Sequence, residues 1–391
     1  MARARQGNGK DPGTSETVTL HGSIYQELAR EISEGVYGLG DRMPSEAALC
    51  ERFGASRITV AKAIQSLQRD GPVTRRAGSG TYVQRPTAGE SHQFGLLIPQ
   101  LGSTEIFEPI CQGIMRAPLA KSHVLLWGHA SNEEESAGLG PIAEQLCRQL
   151  IDQKVAGIFF APLEYTPDRD IANHHVIEML AKAKIPVVLL DRSLETYPDR
   201  SPLDLVGIDN HRAGYIATRH LWQQGARRVV FVAHERSAST IIERLAGCQF
   251  ALSELGGKSG RAVLGDAGDP DFVRKLLEED RPDGIICGND LTAARLMRCL
   301  LDQGVSIPRT VRLVGFDDVS YSQFLPVPLT TIRQNCSEIG RAALSLMLAR
   351  LREPGRTPWE VRVPFQLVVR QSCGGGAITV GAPSEMATTT Q

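Results

Sequence analysis

The chain has 391 residues, a formal net charge of −1 at pH 7 and 42% hydrophobic residues. That length and composition suit two or three domains with buried cores, and they exclude fibrous and intrinsically disordered classes. No apolar run approaches the roughly 18 residues that span a bilayer. The basic N-terminus lacks the apolar segment of a secretory signal, so we expect a cytoplasmic protein without a membrane partner.

The cysteines and the absence of catalytic motifs argue against a metal centre, a cofactor and an enzyme. None of the eight cysteines forms a CxxC pair, and several lie inside apolar runs, as buried thiols do in a reducing compartment. The sequence has no Walker A, GxSxG or HExxH motif, and no GxGxxG follows a predicted strand. We therefore expect no metal, no cofactor and no enzymatic activity.

Residues 1–20 are expected to form a disordered tail, and a helix is predicted directly after them. Its apolar residues recur every four positions, with Ser23 as the N-cap and a stop near Gly35. The apolar residues of this face are Ile24, Leu28, Ile32 and Val36.

Two short amphipathic segments on either side of a Gly-Ala-Ser turn predict a helix-turn-helix. Ser45 is expected to cap the first of them, which ends at Gly54, and Ser56 to cap the second. The following segment, PVTRRAGSGTYVQR, places two β-prone runs around a glycine-rich turn, which predicts a hairpin. Residues 21–84 are therefore predicted to form a winged helix-turn-helix domain of the α+β class.

The exposed side of the third helix and the hairpin are predicted to bind double-stranded DNA. Residues 21–85 hold nine Lys or Arg against seven Asp or Glu, a bias too weak to predict DNA binding without the motif. A recognition helix directs its N-terminal residues at base edges, so Arg57 is expected to donate two hydrogen bonds to guanine. The predicted DNA-binding residues are Ser45, Ser56, Arg57, Thr59, Lys62, Arg75, Arg76, Gly78 and Gly80.

Residues 23–83 resemble the GntR-type winged helix domain. The motifs that show the resemblance are Met43-Pro44-Ser45-Glu46, Phe53-Gly54-Ala55-Ser56-Arg57, Thr59-Val60 and Gly78-Ser79-Gly80-Thr81-Tyr82-Val83. Ala47 and Ala61 stand where that family often has arginines that contact DNA. The resemblance therefore implies a DNA-binding head in which Arg57 and the wing are the stronger contacts.

Residues 85–93 are predicted to be a linker, because the segment QRPTAGESH is rich in turn-forming residues and has no apolar period. From residue 94, the apolar runs FGLLIP, HVLLWG, AGIFFAP and PVVLLD alternate with helical stretches and predict parallel strands buried on both faces. The alternation repeats from residue 205. Residues 94–373 are therefore predicted to form two doubly wound α/β lobes, followed by a disordered tail at 374–391.

Polar and aromatic residues follow the predicted strands, at the end where doubly wound sheets bind ligands. Carboxylates, amides, an arginine and an aromatic ring suit a sugar or another polyol. Asp290 and Asp318, by contrast, are predicted to cap a helix or turn. The predicted ligand-binding residues are Phe107, Asp191, Arg192, Arg244, Asn289, Asp317 and Gln334.

The two α/β lobes resemble the periplasmic-binding-protein-like effector domain of LacI/GalR-type regulators. The matching segments are VGIDNHRAGYIATRHLWQQGARRVVFV, ERLAGCQFAL, DGIICGNDLTAARLM and VRLVGFDDVSYSQFLPVPLTTIRQ. The resemblance implies ligand contacts from Arg244, Asn289 and Asp317. It also implies a first lobe of about 94–207 and 335–360, a second of about 208–334 and 361–373, and a hinge at the crossings between them.

A GntR-type head on a LacI-type sensor resembles the arabinose-repressor-like architecture. It implies a transcriptional repressor that is relieved by a small sugar or polyol and binds a pseudo-palindromic operator as a homodimer. Two alternatives stay open. One is a solute-binding or scaffold protein with weak DNA binding, favoured by Ala47 and Ala61. The other is a sugar-modifying α/β enzyme with a regulatory head.

Overall fold

The computed structural model describes residues 20–33, 35–69, 72–76, 78–84, 91–98, 105–128, 138–195, 199–257 and 260–375. The predicted tails, apart from residue 20 and residues 374 and 375, and most of the predicted linker lie outside these ranges. The chain divides into two compact units, Met1–Ser91 and His92–Gln391. Across the described ranges, no helix combines the length and the apolar character needed to cross a membrane.

The helices and strands have the following bounds. The helices are α1 Leu20–Ser33, α2 Glu46–Phe53, α3 Arg57–Arg69, α4 Phe107–Arg116, α5 Leu139–Asp152, α6 Arg169–Lys182, α7 Asn210–Gln223, α8 Ser239–Glu254, α9 Pro270–Glu279, α10 Asp290–Asp302 and α11 Cys336–Arg352. The strands are β1 Val73–Arg76, β2 Gly80–Val83, β3 Gln93–Leu97, β4 Val124–Trp127, β5 Gly157–Phe160, β6 Val187–Leu190, β7 Asp204–Ile208, β8 Val229–Ala233, β9 Ala262–Leu264, β10 Gly284–Cys287, β11 Arg312–Asp317, β12 Thr330–Gln334, β13 Glu360–Val363 and β14 Phe365–Val368.

The first unit is the predicted winged helix-turn-helix. Ser45 Oγ accepts a hydrogen bond from the Ala48 amide at 3.2 Å and so caps α2, which ends at Gly54 in the left-handed conformation. Ser56 Oγ accepts from the Thr59 amide at 3.3 Å at the start of α3. Strands β1 and β2 pair as an antiparallel hairpin. The core of the unit is Ile24, Leu28, Met43, Leu49, Val60, Ala63, Ile64, Leu67, Val73 and Val83.

The first helix stops near Gly35 as predicted, but its start and the exposure of Val36 differ from the prediction. It begins at Leu20, so Ser23 lies inside it and does not precede it. Val36 was expected on the buried face, but it is 60% exposed. The reason is that the helix ends at Ser33 and the chain turns at Gly35, where φ is +81°, so the four-residue spacing no longer applies.

The second unit contains two lobes, each built on a sheet. In the described residues the first sheet has the order β13-β7-β6-β5-β3-β4 and all its pairs are parallel. We call this sheet with α4, α5, α6 and α11 the first lobe. The second has the order β14-β12-β11-β10-β8-β9, with β14 antiparallel, and forms the second lobe with α7, α8, α9 and α10. The predicted two-lobed α/β fold is confirmed.

One strand prediction was wrong in detail. The run HVLLWG was expected to be a strand buried on both faces, but β4 is the edge strand of the first sheet. Val124 and Trp127 on this strand are exposed. A continuous apolar run predicts a strand, but it does not show whether helices cover both faces of that strand, and an edge strand is covered least.

The chain passes between the lobes from β7 to α7, from β12 to α11 and from β13 to β14. The last of these passages corrects the predicted boundary at 361. Val361, Arg362 and Val363 pair with β7 and therefore belong to the first lobe. The passage lies at Pro364, because β13 keeps its hydrogen bonds to the first sheet up to Val363 and β14 starts on the second sheet at Phe365.

Candidate DNA-binding face and ligand cleft

The start of α3 presents the predicted DNA-contacting arginine to solvent. The Arg57 side chain is 84% exposed, and its Nε lies 3.6 Å from Oε2 of Glu46 on α2. The other oxygen of Glu46 lies 3.1 Å from Nη2 of Arg75 on β1. Glu46 therefore links the recognition helix to the wing, and both arginines stay close to one face of the head.

Both predicted DNA-binding glycines of the wing have a backbone conformation with positive φ. Gly78 and Gly80 have φ of +72° and +125°, in the region that favours glycine. A Cβ on Gly80 would lie 2.8 Å from Nε of Arg42, a contact that this flexible side chain can relieve, so the positive φ is the reason for glycine here. The Arg76 guanidinium lies over the Tyr82 ring at 4.9 Å. Thr59 is half-buried and Lys62 is exposed on α3.

The second lobe brings three of the predicted ligand residues together at the ends of its strands. Arg244 on α8 is 2% exposed, and its Nη2 lies 3.5 Å from Oδ1 of Asp317. Gln334, at the end of β12, donates from Nε2 to the same oxygen at 2.8 Å. Burial raises the pKa of Asp317, and the nearby Arg244 guanidinium opposes that rise.

Arg244 is held by groups that the sequence did not identify. Its Nε donates to Oδ1 of Asn210 at 2.9 Å, and Nη1 donates to the Gly288 carbonyl at 2.7 Å. The guanidinium also lies 4.5 Å from the centre of the Phe316 ring. These contacts leave the arginine a single orientation, with Nη2 towards Asp317.

The first lobe contributes a second buried arginine with two carboxylates. Nη1 of Arg192 lies 2.5 Å from Oε1 of Glu164, and Nε lies 3.4 Å from Oδ2 of Asp191. The guanidinium lies over the Phe107 ring at 5.3 Å. Burial alone would lower the pKa of Arg192, but the two carboxylates raise it, so the side chain stays charged.

Contacts between the lobes close the cleft. Asn289 Nδ2 donates to the Tyr165 hydroxyl at 2.9 Å, and the Tyr165 amide donates to the Arg236 carbonyl at 2.9 Å. On another part of the rim, the Ser320 amide donates to Oε2 of Glu105 at 2.6 Å. Asn289 was predicted to face the ligand. In the structure it bonds to Tyr165 of the other lobe, and its Oδ1 also accepts from the Thr292 amide and caps α10.

The cleft concentrates strained backbone and buried polar atoms without partners. Tyr165, Asp191 and Asp317 have φ of 63°, 69° and 108° at the ends of their strands or in the loops that follow. Non-glycine residues in this region cost about 1–3 kcal/mol each and cluster at functional sites. Three of the seven buried side-chain atoms that lack a hydrogen-bond partner in the described residues belong to the cleft, namely Asp191 Oδ1, Arg192 Nε and Gln334 Oε1. Unsatisfied polar atoms at one place indicate a site for a polar ligand.

The predicted capping roles of Asp290 and Asp318 were wrong. The cap of α10 is Asn289, while Asp290 is buried and accepts from Thr331 Oγ1 at 2.7 Å and from the Val319 amide at 3.2 Å. Burial, and then the nearby Asp317, raise the pKa of Asp290 well above its usual range. Asp318 instead pairs with Arg333 at 2.5 Å and Arg370 at 2.7 Å. Both carboxylates therefore stabilise the C-terminal end of β11 and the turn after it through hydrogen bonds and ion pairs.

Sequence reasoning missed Glu164, Tyr165, Asn210 and a crevice beside the cleft. Glu164 and Tyr165 follow the third strand of the first lobe, so their position at a strand end was an available signal. The crevice holds acidic groups from both lobes and had no sequence signal. Its lining residues are Asp191, Ser193, Leu205, Gly207, Ile208, Asn210, Thr240, Glu243, Glu360, Val361 and Arg362.

In the described ranges, no group of three or more His, Cys, Asp or Glu is arranged to hold a metal ion.

Comparison with known domain families gives a separate match for each unit. Residues 20–83 match the gntR family of bacterial regulatory proteins, and residues 218–373 match the periplasmic binding protein-like domain.

Comparison with individual proteins gives regulators. The arabinose metabolism transcriptional repressor of Geobacillus stearothermophilus is 25% identical over 360 residues, which cover 86% of this chain and 93% of that protein. The HTH-type transcriptional regulator GalR of Escherichia coli is 28% identical over 302 residues, 75% of this chain and 80% of the relative. A LacI family regulator from Enterococcus faecalis, solved with bound ribose, is 25% identical with a TM-score of 0.58, covering 72% of this chain and 98% of that one. These three relatives are transcriptional regulators and not enzymes.

Proposed function

We propose that this chain, which combines a GntR-type helix-turn-helix domain with a periplasmic-binding-protein-like domain, is a transcriptional repressor relieved by an uncharged sugar or polyol. The observation that supports the ligand most directly is the cleft between the lobes. Buried donors and acceptors from both lobes meet there, and Asp191, Arg192 and Gln334 each have a buried atom that makes no hydrogen bond, although Arg192 Nε lies within ion-pair distance of Asp191. A ligand with several hydroxyl groups can both accept from and donate to such atoms.

The charges of the cleft favour an uncharged ligand. Arg192 is paired with Glu164 and Asp191, and Arg244 is paired with Asp317. Three carboxylates thus face two guanidiniums, so neither arginine is left to neutralise a phosphate or a carboxylate on the ligand. An anion would also lie close to Asp191 and Asp317 in a site of low dielectric constant, where like charges repel strongly. A neutral polyol needs no free arginine to balance its charge and is not repelled by Asp191 or Asp317.

The relatives support the same ligand class. One relative is named for arabinose metabolism, and one solved structure of a similar chain contains ribose. Both names refer to neutral sugars. In this chain the buried Phe107 ring packs against the Arg192 guanidinium at 5.3 Å, and we expect it to contribute to the ligand site by holding that arginine in place.

The proposed DNA contacts lie on the first unit. Arg57 and Thr59 at the start of α3 would reach base edges, while Lys62, Arg75 and Arg76 would contact phosphates. Gly78 and Gly80 would let the wing backbone approach the duplex, and the Ser45 and Ser56 ends of α2 and α3 would direct amides at phosphate.

We expect the chain to act in the cytoplasm as a homodimer on a pseudo-palindromic operator. One winged head covers only roughly 600–1,000 Å² of DNA, and two linked heads gain avidity. Closure of the lobes on the ligand would then change the spacing of the heads, and DNA and ligand would weaken each other's binding reciprocally. Light scattering at micromolar concentration checks the dimer, and a monomer there would reject it.

A thermal-shift screen tests the ligand class. We would compare uncharged sugars and polyols with their phosphorylated and acidic counterparts. A ligand at 100 times its Kd adds about 2.7 kcal/mol to the free energy of unfolding, which raises Tm measurably. We expect shifts from neutral compounds alone, and gel shifts showing that the same compound releases DNA. Stabilisation by the anionic compounds alone, or no binding to any DNA, would reject the proposal.

A further inference from the structure

One residue of the recognition helix does not fit either the core or the polar face. Ile58 is the second residue of α3 and is 71% exposed. The other large aliphatic residues of this helix, Val60, Ile64 and Leu67, are at most 2% exposed. In the described part of the head, Ile58 is neither in the hydrophobic core nor among the residues packed against it.

Ile58 lies on the helix face that also presents the predicted DNA contacts. Ile58, Lys62 and Gln65 are all exposed and follow one another at i, i+4 and i+7, so they form one stripe along α3. Arg57 precedes the stripe, and its Nε lies 3.6 Å from Oε2 of Glu46. The stripe lies on the side of α3 opposite its buried residues. Ile58 therefore points away from the core of the head, on the side that would face DNA.

A β-branched aliphatic residue has no structural benefit at this position. Isoleucine lowers the helix propensity slightly, and an exposed side chain gains no hydrophobic stabilisation. In the major groove, however, thymine carries a 5-methyl group, which is an apolar contact point that distinguishes it from cytosine. An aliphatic side chain near the N-terminal end of a recognition helix is positioned for that contact.

We propose that Ile58 is a specificity-determining residue that packs against the 5-methyl group of a thymine in the major groove. This inference rests on the proposed function, because it requires that α3 enters DNA. Arg57 then fixes the register by hydrogen bonds, Lys62 adds sequence-independent affinity, and Ile58 selects one base pair beside the one that Arg57 reads.

The test begins with the full chain and a selection from random duplexes, which gives the preferred operator. Each thymine of one half-site is then replaced by deoxyuridine, which removes the 5-methyl group and leaves the base pairing unchanged. We expect wild type to lose about fourfold in affinity at one thymine, the effect of removing one buried methyl group. The Ile58→Ala variant should show less than about 1.5-fold at that thymine, and Ile58→Val should keep most of the effect.

Lys62→Ala is the matched control on the same stripe. It should weaken binding to all sequences and keep the loss at that thymine. Circular dichroism should show that the Ile58 variants melt like wild type, since Ile58 is outside the core. Equal losses for wild type and Ile58→Ala at every thymine, or no loss for wild type at any, would overturn the assignment while leaving DNA binding intact. If no sequence is enriched at all, the proposed function fails and this inference fails with it.

Discussion

At the scale of single residues, the cleft between the lobes contains arginines whose charges are already balanced. Arg244 has carboxylate, amide, carbonyl and ring partners, and Arg192 has two carboxylates and a ring. Such an arginine orients its partners more than it attracts an anion. Its removal leaves a buried carboxylate without compensation, and breaking a buried pair in this way typically costs 3–5 kcal/mol.

Replacing Arg244 should separate ligand response from DNA binding. We expect Arg244→Ala to abolish the thermal shift produced by the ligand of wild type, because Asp317 loses its guanidinium partner. Operator affinity in gel shifts should stay within about threefold, because the head belongs to the other unit. Arg298→Ala, at a side chain 85% exposed on α10 of the same lobe, is the control and should respond normally. A full ligand shift in Arg244→Ala would show that the cleft is assigned wrongly.

Arg57 and Arg76 should differ in what they contribute to DNA binding. Arg57→Ala is expected to weaken specific binding by about 1–3 kcal/mol and to relax the preference at one base pair. Arg76→Ala should weaken specific and random DNA alike and reduce the slope of log affinity against log salt by about one. Fluorescence anisotropy on both DNAs over a salt series measures this. The same loss on both DNAs for both variants would contradict the division of roles.

At the scale of elements, the sheets place the cleft and a close helix pair holds its arginine. Helices α7 and α8 approach through glycines: a Cβ on Gly247 would overlap the His211 carbonyl, and one on Gly214 would overlap the Arg244 carbonyl. The short distance between the helices brings Asn210 on α7 within 2.9 Å of Arg244 on α8. Two glycines outside the cleft therefore set the position of its main arginine.

Gly247→Ala should destabilise the second lobe and weaken ligand binding together. The added methyl group must push α7 and α8 apart, which costs about 1–3 kcal/mol in a packed interior and lengthens the bond between Asn210 and Arg244. Urea unfolding midpoints and ligand titrations measure the two effects. Gly355→Ala is the control, since a Cβ there meets no atom within 4 Å. An unchanged midpoint for Gly247→Ala would show that the helix contact is not tight.

The sequence predicted those elements whose signals are local. The caps at Ser45 and Ser56, the glycine turn and the apolar runs that became β5 and β6 each depend on neighbours within a few residues. The exposure of β4 and the passage at Pro364 depend on which strands become neighbours in a sheet, and no local pattern records that. The role of Tyr165 depends on Asn289, which is 124 residues away and on the other lobe.

At the scale of the whole molecule, acidic groups of the two lobes lie together where the lobes meet. Glu243 is on α8 of the second lobe, and Glu360 is on β13 of the first. Arg362 is the cation next to them, but it already pairs with Glu360 at 2.8 Å and with Asp209 at 3.5 Å. Burial raises the pKa of Glu243 to about 6, with Arg362 opposing the rise and Glu360 adding to it. The charged form of Glu243 is therefore disfavoured in the folded arrangement of the two lobes.

Stability should consequently fall as pH rises through the range in which Glu243 ionises. The folded state holds this proton up to a pH of about 6, and the unfolded chain loses it near the usual pKa of 4.5, so the folded state binds more protons between these values. Glu243→Gln keeps the shape and removes the charge. We expect it to be more stable than wild type by about 1–2 kcal/mol at pH 8, and the difference to vanish near pH 4. Denaturant unfolding of both proteins over this pH range measures the difference. A difference that is constant with pH, or larger in acid, would show that Glu243 is not held neutral by the crevice.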